Sequence, residues 1–152
     1  MFDLWYFEMK MTTWRINLAI CLFTVICVYD TATTWGSDSE DLQAAVKSYF
    51  EAEMTRNADA VWNLLAPSSV FRRFYSYEDY LELSRLNPIK VIDYELKFQP
   101  EISENQDREN LPNVEKLASV VVRVRIKGEN GKESEHISVF VFLFENGRWY
   151  KG

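Results

Sequence analysis

Two Asn-Gly dipeptides, set among alternating β-branched residues, constrain this chain more than any other feature. Asn130-Gly131 and Asn146-Gly147 punctuate three strand-like runs between residues 117 and 151. Both residues of an Asn-Gly pair tolerate φ > 0, as the two-residue type I′ hairpin turn requires. Counting outward from Asn130-Gly131 as such a loop pairs Ile126 with Glu135, Val124 with Ile137, Val122 with Val139 and Val120 with Val141. The opposite face then carries Lys127/Ser134, Arg125/His136, Arg123/Ser138 and Val121/Phe140. The second turn places Phe144 opposite Trp149. Side chains alternate with period two, so a slip of one residue would exchange the faces of one strand. The pattern predicts an antiparallel meander.

In this register Val139, Val141 and Leu143 share the core face, and Phe140, Phe142 and Phe144 stack on the other. Arg123 and Arg125 lie on the phenylalanine side, where unpaired charge would be expensive to bury. The helices are therefore expected to cover the valine row. An uncovered row of large aromatics favours association. Phe140, Phe142, Phe144 and Trp149 are accordingly the predicted contact of a homodimer formed through the sheet face.

The 152 residues suit one domain, and 47% hydrophobic residues are enough for a real core. A net charge of −6 argues against nucleic-acid binding, which needs a basic face. The one basic stripe, Arg123, Arg125 and Lys127, has the period of a solvated strand face. Arg15 precedes an apolar run at residues 16–29, the length of a signal-peptide core and too short to span a bilayer. Residues 1–36 read as a targeting segment and linker, with translation starting at Met1 or Met11, and residues 37–152 as the mature domain. The expected location is outside the cytoplasm, periplasmic or secreted. Cys21 and Cys27 both lie inside the apolar run, so the mature domain is expected to hold together without disulfides.

Residues 37–41 are polar and precede Leu42, Ala45, Val46, Tyr49, Phe50 and Met54, which recur at helical spacing to about Arg56. Asp59 is placed to cap a second helix over residues 60–65, stopped by Pro67. A third helix is expected over residues 76–86. Ile92, Tyr94, Leu96 and Phe98 then alternate with Asp93, Glu95 and Lys97, the pattern of a strand buried on one side. Residues 99–116 are polar, acidic and bracketed by Pro100 and Pro112, and read as a long mobile loop.

This order, α+β with N-terminal helices packed on a curved antiparallel sheet, resembles the nuclear transport factor 2-like (SnoaL-like, cystatin-like cone) superfamily. The resemblance is carried by Tyr49-Phe50-Glu51-Ala52, Asn57-Ala58-Asp59, Trp62-Asn63-Leu64-Leu65-Ala66 and the closing Asn146-Gly147-Arg148-Trp149-Tyr150. It implies a cone whose helices and sheet enclose a pocket, and dimerisation through the sheet is common in that superfamily. Tyr49, Trp62, Tyr80 and Tyr94 are the candidate ligand-binding residues of such a pocket. The superfamily includes ketosteroid isomerase, which uses an aspartate base shortly after the second helix and a tyrosine on the first. Tyr49 falls near that tyrosine. Phe71, Arg72 and Arg73 occupy the region of the base and offer no carboxylate.

Other chemistry is sparse. One histidine and no cysteine outside the apolar run leave no zinc-ligand set. His136 is placed beside Arg125 on the polar face. Glu78-Asp79 and Glu40-Asp41 are adjacent on helices and diverge, unlike a catalytic dyad. No phosphate-cradling glycine loop is present, and no catalytic residue, metal or cofactor is expected. The leading expectation is a non-enzymatic domain that binds a protein partner, itself or a small apolar ligand. The alternative is an isomerase- or hydrolase-like enzyme whose cone pocket uses Tyr49, Tyr80, Tyr94 or Trp62 with Asp93 or Glu95.

Overall fold

A computed structural model of the chain describes residues 35–97 and 100–152, all within the unit Thr31–Gly152. The apolar run at residues 16–29, and the export expected from it, lie outside the described residues. The helices are α1 (Trp35–Met54), α2 (Ala58–Leu64), α3 (Val70–Phe74) and α4 (Tyr77–Leu86). The strands are β1 (Lys90–Leu96), β2 (Glu101–Glu104), β3 (Val114–Lys127), β4 (Glu133–Glu145) and β5 (Arg148–Lys151). The strands form one antiparallel sheet in the order β1-β3-β4-β5, and β2 pairs with the first half of β3. The class is the expected one, α+β with helices on a curled antiparallel sheet.

Helix boundaries follow local capping chemistry. Residues 37–41, expected as a linker that also supplies the N-cap and first-turn acids of a helix, lie inside α1, with Asp38 in its first turn. Beyond the end of α1 the amides of Arg56 and Asn57 donate to the carbonyls of Glu53 and Ala52, closing a Schellman motif. Arg56 holds the left-handed position of that motif at φ 53. Its guanidinium donates to the carbonyls of Asn87 at 2.7 Å and Ser84 at 3.3 Å, tying the end of α4 to the α1–α2 turn. Asn57, two residues earlier than the expected Asp59, caps α2 by accepting from the Ala60 amide. Ser76 and Asp79 form a reciprocal capping box on α4. α3 was not expected from the pattern; Ser69 caps it.

The expected loop at residues 99–116 is largely ordered structure. It contributes β2 and the start of β3. Buried Asn105 holds the turn between them, its side-chain amide donating to the carbonyls of Leu111 and Val114.

The central correction concerns the β3–β4 register. The hairpin closes through three residues rather than two. The Gly128 amide donates to Lys132 O, the Gly131 amide to Gly128 O, and Gly131 alone takes positive φ, at 75°. This is a type I turn with glycine in the left-handed bulge position, the second use to which Asn-Gly is suited. Val120 therefore pairs with Phe140, Val121 with Val139, Val122 with Ser138, and Val124 with His136. The slip leaves the β3 faces as expected and inverts those of β4. The second turn does form the two-residue loop, with Asn146 and Gly147 both at positive φ and Phe144 opposite Trp149.

The main core follows from the inversion. Leu42, Val46 and Phe50 of α1 pack on Ala118, Val120, Val122 and Val124 of β3, on Phe142 of β4 and on Trp149 of β5. Phe140 and Phe144 pack against the same cluster. Phe142 and Trp149 are buried, so the expected phenylalanine interface is interior. Ile137, Val139 and Val141 face outward instead, with exposures of 66%, 62% and 38%. Size decides the choice of face. A phenylalanine removes more apolar surface from water than a valine at about 25 cal/mol per Å², so burying the aromatic row is the more favourable arrangement.

A smaller cluster sits on the other face, where Ala66 and Leu111 cover Val114, Leu117, Leu143 and Tyr150. Buried Glu145 fastens this cover by accepting from the Ser68 amide at 3.2 Å and its hydroxyl at 2.6 Å.

The two rows of β4 should respond oppositely to substitution. Phe142→Ala is expected to cost about 3–5 kcal/mol in urea unfolding of single copies at high dilution, whereas Val139→Ser should there stay within about 0.5 kcal/mol of wild type. The reverse ranking would restore the two-residue loop.

Candidate functional site

The expected pocket tyrosines come together only in part, around a carboxylate that the sequence pattern did not single out. Tyr49 and Glu53 lie one turn apart on α1, and the Tyr49 hydroxyl donates to Glu53 Oε1 at 2.8 Å. Tyr80 of α4 and Lys151 of β5 feel the same carboxylate. Tyr94 sits on the far side of Phe50, stacked on it at 4.7 Å between ring centroids. Trp62 belongs to the helical layer, 5.5 Å from Tyr80 and 5.7 Å from Tyr77, with the Arg72 guanidinium 4.9 Å above its ring. The i, i+4 spacing of Tyr49 and Glu53 was the signal for this carboxylate. Lys151 gave none, since only the pairing of β5 with Phe142 turns it inward.

Electrostatics describe a closed set of groups. Burial, then the Glu53 charge, pushes the Tyr49 phenol well above its ordinary 10.0. The same two causes push Tyr80 up to about 12. Burial pushes the Lys151 ammonium down. Phenols held this firmly protonated donate hydrogen bonds and are poor proton donors to a reaction. The cleft beside them, lined by Glu53, Tyr80, Val61, Arg56 and Asn87, has a volume of about 30 Å³. That is room for water and not for a steroid-sized substrate.

The acids proposed for the enzymatic alternative point elsewhere. Asp93 pairs with Arg125 at 3.0 Å and Glu95 pairs with Arg123, all on the outer face of the sheet. Arg123 also reaches Glu135 at 3.3 Å, and Lys97 reaches Glu95 at 3.1 Å. The Lys97 hydrogen bond, aided by Arg123, holds the Glu95 carboxyl below its usual range. His136, expected beside Arg125, stands opposite Val124 and is exposed, with Ser134 Oγ 3.0 Å from Nε2. Among the described residues no three His, Cys, Asp or Glu side chains gather as a metal site, and no helix is long and apolar enough to cross a membrane.

The outer face itself has three zones. One end lies under Ala66 and Leu111, the other carries the charge ladder, and Ile137, Val139 and Val141 remain open between them beside half-buried Val121. β5 covers β4 only at residues 142–145.

No protein-family model and no curated protein matches the chain. Among solved structures it is similar to a Xanthomonas campestris protein assigned as a calcium/calmodulin dependent protein kinase II association domain. That match has 19% identity over 84% of this chain and 92% of that one, with a TM-score of 0.48. A SEC-C motif containing protein from Rhodopseudomonas palustris matches at 16% identity over 84% of this chain and 95% of that one, with a TM-score of 0.46. Likenesses at this level say nothing about function.

The tyrosines provide a pH test. A phenol whose folded value lies above its unfolded value contributes stability below pH 10.0, and that contribution is lost as pH rises toward about 12. Lys151, depressed in the folded state, acts in the opposite sense up to its ordinary 10.5. The fall should therefore be read above pH 10.5. Tyrosinate absorbance is expected to show Tyr49 and Tyr80 ionising only together with unfolding, and Tyr80→Phe should flatten the fall in stability. Reversible ionisation of every tyrosine near pH 10 without unfolding would contradict their burial.

Proposed function

We propose that this chain is a non-catalytic association domain of the nuclear transport factor 2-like type, which pairs with a second copy of itself through the outer face of its sheet. The observation that carries the reading is the open row Ile137, Val139 and Val141 on β4, with half-buried Val121 beside it. Contiguous exposed apolar residues on a strand favour burial against another surface. A second copy fits because the neighbouring charges are of both signs. Asp93, Glu95 and Glu135 interleave with Arg123 and Arg125, so a two-fold axis can oppose unlike charges while the apolar rows meet.

The interior supports the non-catalytic half of the proposal. Glu53 is engaged by Tyr49, the phenols are held protonated, and the neighbouring space is of water size. Catalysis needs a nucleophile or base and a stabilising group facing a common space for the reacting atom. Here the acids of the enzymatic alternative are paired with arginines on the opposite side of the sheet.

Sedimentation velocity separates the cases. The wild-type chain is expected to sediment as a dimer at tens of micromolar, and Val139→Lys as a folded monomer, a loss of at least about tenfold in association constant. A wild-type monomer at millimolar concentration, or a Val139→Lys dimer, would contradict the proposal.

A further inference from the structure

The helical layer carries a second apolar surface with different chemistry. α3 and α4 bury none of their residues, and Phe74 and Leu86 are each 72% exposed. Phe74, Tyr75, Leu83 and Leu86 line a groove of about 370 Å³, rimmed by Asp79 and Glu82. Asp79, Glu82, Leu83 and Leu86 recur at i, i+3, i+4 and i+7 and form one stripe of α4. Other α4 residues turn away from it. Tyr80 packs on Trp62, while Leu81, Ser84 and Arg85 line a separate cleft with Arg56.

The charged lining of the groove is thus wholly acidic. The Ser76 amide and hydroxyl hydrogen-bond to the Asp79 carboxylate and hold its pKa below the usual range. Glu82 forms no ion pair among the described residues.

We propose that this groove docks an apolar peptide segment flanked by lysine or arginine, presented by another protein. The apolar floor offers side-chain-sized space, and the acidic rim selects the flanking charge. A second copy of the chain fits poorly here. A two-fold contact at the groove would bring Asp79 and Glu82 toward their own images, and like charges brought together at an interface disfavour the pairing. The sheet face, with its mixed charges, has no such penalty. The net charge of −6 adds attraction for a basic partner.

The test titrates the full chain with a short fluorescein-labelled amphipathic peptide of leucine and lysine, read by anisotropy. A peptide with glutamate in place of lysine is the control. The leucine–lysine peptide is expected to bind and the leucine–glutamate peptide not to. Glu82→Lys and Leu86→Ser should each weaken binding about tenfold. Glu109→Lys, an equal change of net charge at an exposed site on the β2–β3 turn outside the groove lining, should leave affinity within about twofold. Both groove positions are exposed, so the variants should keep the wild-type circular dichroism. Amide shifts on peptide addition should fall within residues 70–86. Binding of both peptides alike, no binding, equal losses in Glu82→Lys and Glu109→Lys, or shifts confined to β4 would each overturn the proposal.

Discussion

The pairing of β3 with β4 is the constraint on which the rest of this structure depends. Three residues between Gly128 and Lys132 set it, with Gly131 holding the left-handed position. Because strand side chains alternate, this one turn decides whether Phe142 or Val139 meets α1. Placing the phenylalanine row inward fills the space under Phe50 and Tyr49, where rings meet at centroid distances of 5.0–6.2 Å in edge-to-face geometry. It also leaves Arg123 and Arg125 on the outer face, beside acids on β1 and β4. Core packing and surface charge follow from one register.

The two Asn-Gly pairs show how far local chemistry reaches. At residues 146–147 the pair forms the expected two-residue loop, and the predicted Phe144/Trp149 opposition is observed. At residues 130–131 the same dipeptide serves a three-residue loop, because glycine at the bulge and asparagine before it are equally at home there. Asn130 Oδ1 accepts from the Lys132 amide, a local stabilisation that a dipeptide rule does not weigh. The objection that buried phenylalanines would bring arginines inward depended on the wrong register and falls with it. Relative side-chain size was legible, and it favours the observed faces.

Long periodic elements were read correctly because each turns one side toward the rest of the fold. α1, α4 and the β1 acids facing away from Tyr94 are examples. Short elements were missed. α3 has only Ser69 and a single turn to announce it, and β2 is four residues whose partner is distant in sequence. In the candidate site Tyr49 and Tyr80 meet and Tyr94 does not, since Phe50 stands between them. Glu53 was legible from its i, i+4 spacing to Tyr49, whereas Lys151 is a site group only because tertiary packing brings it under the influence of Glu53.

Two exposed surfaces then divide by charge. The sheet face mixes signs and suits its own image, and the α3–α4 groove carries one sign and suits its opposite. The sheet-face assignment requires the register to be right, because inverting β4 would replace the valine row by phenylalanines. Backbone NOE contacts across the β3–β4 hairpin test it most directly. Contacts that oppose Val121 to Val139 and Arg123 to Ile137 are expected. Contacts that oppose Val122 to Val139 and Val124 to Ile137 would contradict it.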